Sequence, residues 1–102
     1  MISITIKKEN DLIKYIKISG HSGYSGEGSD IVCASVSSIA ITTVNSLIRI
    51  DEDCVIYSES DGLLEIGILK HDDIIDKLLD NMIDLFKALS KDYKDYIKIN
   101  LW

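Results

Sequence analysis

The 102-residue sequence predicts an α+β fold in the order strand-strand-helix-strand-strand-helix-strand, with a mostly antiparallel sheet packed with two helices. Three observations carry this. Apolar and polar residues alternate near both ends, as Ile2, Ile4 and Ile6 and again as Ile97, Ile99 and Leu101. Asp61-Gly62 joins two short strand-like runs as a two-residue hairpin. Ile74, Ile75, Leu78, Leu79, Met82, Ile83, Phe86 and Leu89 keep helical spacing.

Each element has its own signal. Residues 2–8 read as a half-buried strand, Glu9-Asn10-Asp11 as a turn and residues 12–19 as the returning strand. A glycine-rich loop spans 20–29. Asp30 reads as the N-cap of a helix over about 31–49, whose lack of charge suggests burial on more than one face. Asp51-Glu52-Asp53 breaks the chain, strands follow at 54–60 and 63–69, and His71-Asp72-Asp73 opens the second helix. Residues 95–102 form the last strand. Without linkers, repeats or low-complexity segments, residues 1–102 read as a single domain.

Composition narrows the function classes. A net charge of −6 argues against nucleic-acid binding as the main task, which needs clustered Lys and Arg. No secretory signal is visible at the N-terminus. The longest uncharged run, Ile31–Ile48, carries seven Ser, Thr or Asn residues, which opposes a membrane span. Two cysteines, Cys33 and Cys54, do not make a disulfide framework, so a reducing cytoplasm is expected.

The chemistry concentrates in residues 20–37. His21 ends the second strand; Gly20, Gly23, Gly26 and Gly28 make the loop free; Cys33 lies three residues after the expected cap. A thiol at a helix start can fall from a pKa of about 8.5 into the range of about 3.5–7.5. There the unpaired amides can also hold an oxyanion. His21 could fold back as its base. Cys33 could equally be a small buried hydrophobe. Asp30 has two readings, as the helix cap or as a group that orients His21, although a carboxylate beside a thiolate raises the thiol pKa.

Other uses of these residues lack a part. His21, Cys33, Cys54 and His71 could ligate zinc, but no close Cys-x-x-Cys or His-x-x-x-His pair is present, so no metal or other cofactor is expected. Cys54 reads as a packed strand residue, and His71 as a solvated turn residue. The carboxylates at 51–53 and 72–73 read as solvated faces. The glycine loop has no Gly-Lys-Ser/Thr ending and carries Glu27, against phosphate binding. It reads as a lid over an extended peptide, with Tyr24 its best apolar contact.

Gly20-His21-Ser22-Gly23-Tyr24, followed by Asp30-Ile31-Val32-Cys33-Ala34 and Ser37, resembles the ribosomal-processing cysteine proteases of Firmicutes and related bacteria. The likeness extends over essentially the whole chain. The family often has alanine where this chain has Ser22 and Ser35. The resemblance implies a cysteine endopeptidase that removes the N-terminal extension of large-subunit ribosomal protein twenty-seven, cutting after a pair of phenylalanines. It makes Cys33 the nucleophile and His21 the general base, with Asp30 and Ser37 in support. It makes the segment holding Gly23, Tyr24, Gly26 and Gly28 a substrate gate. It also implies a cytoplasmic homodimer with no direct contact to nucleic acid or membrane. The rival readings are a non-catalytic ribosome-assembly binding module and a thiol redox sensor in which Cys54 resolves an oxidised Cys33.

Overall fold

The computed structural model describes residues 1–20 and 29–101. Strands β1 (Ile2–Glu9) and β2 (Leu12–Ser19) form the first hairpin, followed by α1 (Ser29–Ile50) and a 3-10 turn (Glu52–Cys54). Strands β3 (Val55–Ser60) and β4 (Leu63–Ile68), helix α2 (Asp73–Asp92) and β5 (Ile97–Leu101) complete the expected order.

The sheet order is β3-β4-β2-β1-β5. Neighbours are antiparallel except β1 and β5, which run parallel with Ile2 opposite Ile97. The sheet is therefore mixed, because α2 carries the chain from β4 across β2 and β1 to an edge in the same direction as β4. Helix α1 likewise joins β2 to β3, which run the same way. The two crossovers travel in opposite senses from strands of opposite direction. With one handedness, both helices therefore land on one face of the sheet.

That face is the core. Ile4, Ile6, Ile16, Ile18, Leu64, Ile66 and Ile68 are at most 1% exposed. They meet Val32, Val36, Ala40, Val44 and Leu47 of α1, and Ile75, Leu79, Met82, Ile83 and Phe86 of α2. This stripe settles the uncharged run 31–48: α1 is long and apolar enough to cross a bilayer, yet its regular apolar positions lie in the core. Helix α1 meets α2 as well as the sheet, and Cys33 and Ile39 flank the stripe half-buried against the core, so burial extends beyond one face as expected. Ile31, Ile41 and Ile48 stay exposed within one chain.

The first hairpin turns at Asn10 and Asp11, both with positive φ (55° and 64°), the backbone of a turn whose twist matches its strands. A bulge between Lys7 and Lys8 lets Lys7 pair with Tyr15 and Lys8 with Ile13, leaving Lys14 as the extra residue.

Candidate active site

Topology gathers one end of the molecule around the start of α1. The chain leaves β2 at Gly20, whose N–H donates to the Gly62 carbonyl at 3.0 Å. Gly62 (φ 70°) turns the β3–β4 hairpin. The Ile2 N–H donates to the Tyr96 carbonyl at 2.8 Å, bringing in the segment between α2 and β5. Because α1 and α2 run antiparallel, the end of α2, with half-buried Leu89 and Tyr93, lies at this same end.

Cys33 is the fifth residue of α1, half-buried and packed against the core. This differs from the expected geometry. The helix begins at Ser29, so Asp30 is its second residue and not its cap. Ser29 precedes Asp30 and is itself helix-compatible; sequence alone does not say which of two polar residues starts the turn. In a helix starting there, the Cys33 N–H enters the repeating bond pattern, onto the Ser29 carbonyl. It is not one of the unpaired amides; those belong to the first turn, before Cys33. The side chain partly restores the relation, because a helical Cβ leans toward the N-terminus and covers the preceding turn.

Ser37 follows one turn later on the same helix face as Cys33 and is also half-buried. Ser35 is taken up locally, its hydroxyl donating to the Ile31 carbonyl at 2.8 Å. His21, Gly23, Tyr24, Gly26 and Gly28 lie outside the described residues, as does the side chain of Asp30.

The remaining sequence candidates sit elsewhere. Cys54 closes the 3-10 turn instead of starting β3; it is fully buried, and its thiol donates to the Leu47 carbonyl at 3.6 Å. Burial, then the Asp51 charge, pushes its pKa up. His71 is half-buried with Nδ1 2.7 Å from the Asp76 carboxylate, so it is more than a solvated turn residue. Asp51 and Asp72 cap helical turns, where the sequence suggested solvated faces. Among the described residues no group of three or more His, Cys, Asp or Glu could hold a metal.

Sequence reasoning missed Gly62 as a partner of Gly20, and Tyr93 and Tyr96 as neighbours of this end. The pairing of Ser19 with Leu63 and of Ile2 with Ile97 brings them here. The available signal was two tyrosines three residues apart after an amphipathic helix.

A half-buried thiol one turn into a core helix, at the sheet end where the glycine-rich segment departs, suits an α+β thiol enzyme. The family model for cysteine protease Prp matches residues 1–98, and the chain belongs to that family. It is a cysteine protease. It is 25% identical, over 97% of this chain and 96% of the other, to the ribosomal processing cysteine protease Prp of Bacillus subtilis. Its fold matches the ribosomal processing protease Prp from S. aureus solved with a substrate peptide (TM-score 0.92, 22% identity, all of both chains). It also matches the same S. aureus protease with a covalently linked product peptide (TM-score 0.88, 23% identity, all of both chains). SMU.848 from Streptococcus mutans shares the fold at TM-score 0.84 and 24% identity, over 99% of this chain and 93% of that one.

Proposed function

We propose that this protein removes the N-terminal extension of large-subunit ribosomal protein twenty-seven, with Cys33 as nucleophile and His21 as general base. The observation that carries the proposal is the position of Cys33, packed on the core at the sheet end where the segment bearing His21 departs. A nucleophile needs a fixed backbone and an open approach; the core stripe of α1 supplies the first, and half-burial leaves the second.

In this mechanism His21 takes the thiol proton, Cys33 Sγ attacks the scissile carbonyl, and His21 then protonates the leaving amine. Water hydrolyses the acyl-enzyme with His21 again as base. First-turn amides of α1, toward which the Cys33 side chain leans, are suited to hold the oxyanion. Asp30 brings negative charge into that same turn, which favours the helix and opposes the thiolate; an orienting role toward His21 reconciles the two. Ser37 supports the nucleophile from one turn away. The segment with Gly23, Tyr24, Gly26 and Gly28 closes over the substrate, and Tyr93 and Tyr96 offer aromatic surface for the phenylalanines before the cut.

Residues 1–102 act as one protease domain in the cytoplasm. The exposed Ile31, Ile41 and Ile48 of α1 support a homodimer that covers this face.

The test is cleavage of the extended ribosomal protein, read by mass spectrometry. Cys33→Ala abolishes product while thermal unfolding stays cooperative; undiminished cleavage sinks the assignment. His21→Ala slows the chemical step by at least ~10²-fold. A near-normal rate removes His21 from the mechanism.

A further inference from the structure

The face of the sheet turned away from the helices carries a charge pattern opposite to that of the whole chain. The strand pleat puts Lys7, Lys17 and Lys98 on this face, with Ser3, Thr5 and Asn100 between them, and all three lysines are exposed. Bulged Lys14 joins them at the rim of a hollow of about 410 Å³ that also takes in Lys7, Tyr15, Gly67, Ile68 and Leu69. Against these four lysines the described residues of the face set two acids: Glu9, two residues beyond Lys7 along β1, and Glu65, which already accepts the Tyr15 hydroxyl. A net charge of −6 over the chain means the acidic residues are gathered elsewhere. Summing charge over the whole sequence hides the segregation.

We propose that this open sheet face is a docking surface for single-stranded RNA, with lysines 7, 14, 17 and 98 on phosphates and the Tyr15–Gly67 hollow receiving a base. Charge selects an anionic occupant. A second copy meeting this face through its own equivalent would set lysines against lysines. A basic partner is repelled in the same way. Between anions, the shape of the face favours nucleic acid over an acidic protein. The lysines lie on three adjacent strands, two residues apart in register between Lys7 and Lys17, so their flexible stems can follow successive phosphates of one strand. Hydroxyl and amide side chains fill the gaps.

The hollow gives the pattern a second component. Tyr15 is anchored by Glu65, and burial together with that carboxylate pushes its pKa up to about 12, so its ring is neutral. Gly67, directly opposite Tyr15, leaves the floor bare. A Cβ built on Gly67 meets its nearest atom, Ile56 Cβ, at 4.0 Å, an ordinary contact. A larger residue there fills the hollow without straining the backbone. The hollow lies at the end of the sheet opposite Gly20, and Lys17 and Lys98 continue the basic path toward the end where α1 begins. A docked strand would leave Cys33 on the other face unobstructed.

The inference is independent of the cleavage reading, and its test uses full-length Cys33→Ala protein with no substrate. Fluorescence anisotropy with a labelled twelve-nucleotide oligouridylate is read across rising salt. Neutralising four phosphates gives a slope of log K against log salt of about −3, at about −0.7 per phosphate of a single strand. Lys7→Glu/Lys17→Glu weakens low-salt binding at least about tenfold and flattens the slope by about 1.4, the share of two phosphates. Gly67→Leu weakens binding while leaving the slope unchanged. Lys87→Glu/Lys91→Glu on the exposed face of α2 leaves affinity within about twofold once the change in net charge is screened by salt. In an otherwise unsubstituted chain, Lys7→Glu/Lys17→Glu leaves cleavage of a short peptide intact. The proposal is overturned by absence of low-salt binding, by equal losses from the sheet and α2 variants, or by self-association through this face in sedimentation.

Discussion

The Cys54 thiol donates to the Leu47 carbonyl at 3.6 Å, which ties it to the far end of the helix that carries Cys33. Fourteen helical residues separate Cys33 from Leu47, about 21 Å at 1.5 Å per residue. A disulfide needs Cα atoms within about 7 Å. Cys54 therefore cannot resolve an oxidised Cys33 in the folded chain, which removes the redox-sensor reading. Thiol titration of native protein should show one accessible group per chain, with the second appearing on unfolding. Mild oxidation should yield no intrachain link by peptide mapping, and Cys54→Ser should cleave normally. An intrachain Cys33–Cys54 bond formed without unfolding contradicts this account.

Gly20 is fixed by its surroundings as much as by its conformation. Its φ is +86°, and a Cβ there would sit 2.3 Å from the Met1 carbonyl oxygen, a backbone atom with little room to yield. Gly20→Ala should cost at least about 2 kcal/mol, combining left-handed strain with the displacement of β1. At Gly62 (φ 70°) the cost should be about 1 kcal/mol, from left-handed strain alone. Urea unfolding of the two variants checks the ranking. Equal stabilities would mean that the Met1 contact relaxes freely. Because Gly20 directly precedes His21, its variant should also lose more cleavage than its stability loss explains.

Much of this fold was legible because its strands are regular. Ile2, Ile4 and Ile6 alternate, and each is buried. The turn at Asn10 and Asp11 and the hairpin at Asp61-Gly62 use residues that tolerate positive φ. What stayed hidden depends on distant partners. The parallel β1–β5 pairing is set by where α2 carries the chain, which no local pattern encodes. Ile74 keeps helical spacing with Leu78 yet is 58% exposed, because it lies at the edge of the α2 stripe, about 100° round the helix from buried Ile75. Asp51 and Asp72 looked like solvated acids because nothing local names the amide each accepts. At the site, the Gly-His and Asp-Ile-Val-Cys motif singled out Cys33, but the helix starts two residues earlier than expected, at Ser29 and not at 31. That shift changed which amides are unpaired.

Asp72 offers a local test of α2. Its carboxylate accepts the Ile75 N–H at 2.8 Å from an extended backbone (φ −155°), satisfying an amide the helix cannot. Asp72→Ala should cost about 1 kcal/mol. That corresponds to a fall in Tm of about 4–8 °C for a domain of this size. Asp73→Ala, in the same turn but outside the capping bond, should change stability by less than about 0.5 kcal/mol. Thermal unfolding followed by circular dichroism checks the difference. Comparable losses at both positions would assign the effect to first-turn charge and not to the cap.

Asp51 and Lys70 should give the acid and alkaline limits of one surface latch. The Asp51 carboxylate accepts the Asp53 N–H at 2.9 Å and meets Lys70 Nζ at 3.1 Å. The Asp53 amide first, and Lys70 second, hold Asp51 below its ordinary pKa. A depressed carboxylate stabilises the fold above its unfolded pKa and loses that contribution as pH falls through the folded value. Lys70 is shifted the other way, raised above its ordinary value by Asp51, so its contribution is present below the unfolded pKa and lost as pH rises through the folded one. The Tm gap between the parent protein and Asp51→Ala should therefore be constant from pH 6 to 8. It should shrink once pH drops below the ordinary aspartate value of 3.8. Lys70→Met should show its gap closing only in alkali. Added salt should narrow the Lys70 gap more than the Asp51 gap, since the Asp53 bond is local and the ion pair is exposed. An Asp51 gap that stays flat down to about pH 3 would mean the capping bond does not distinguish the two protonation states.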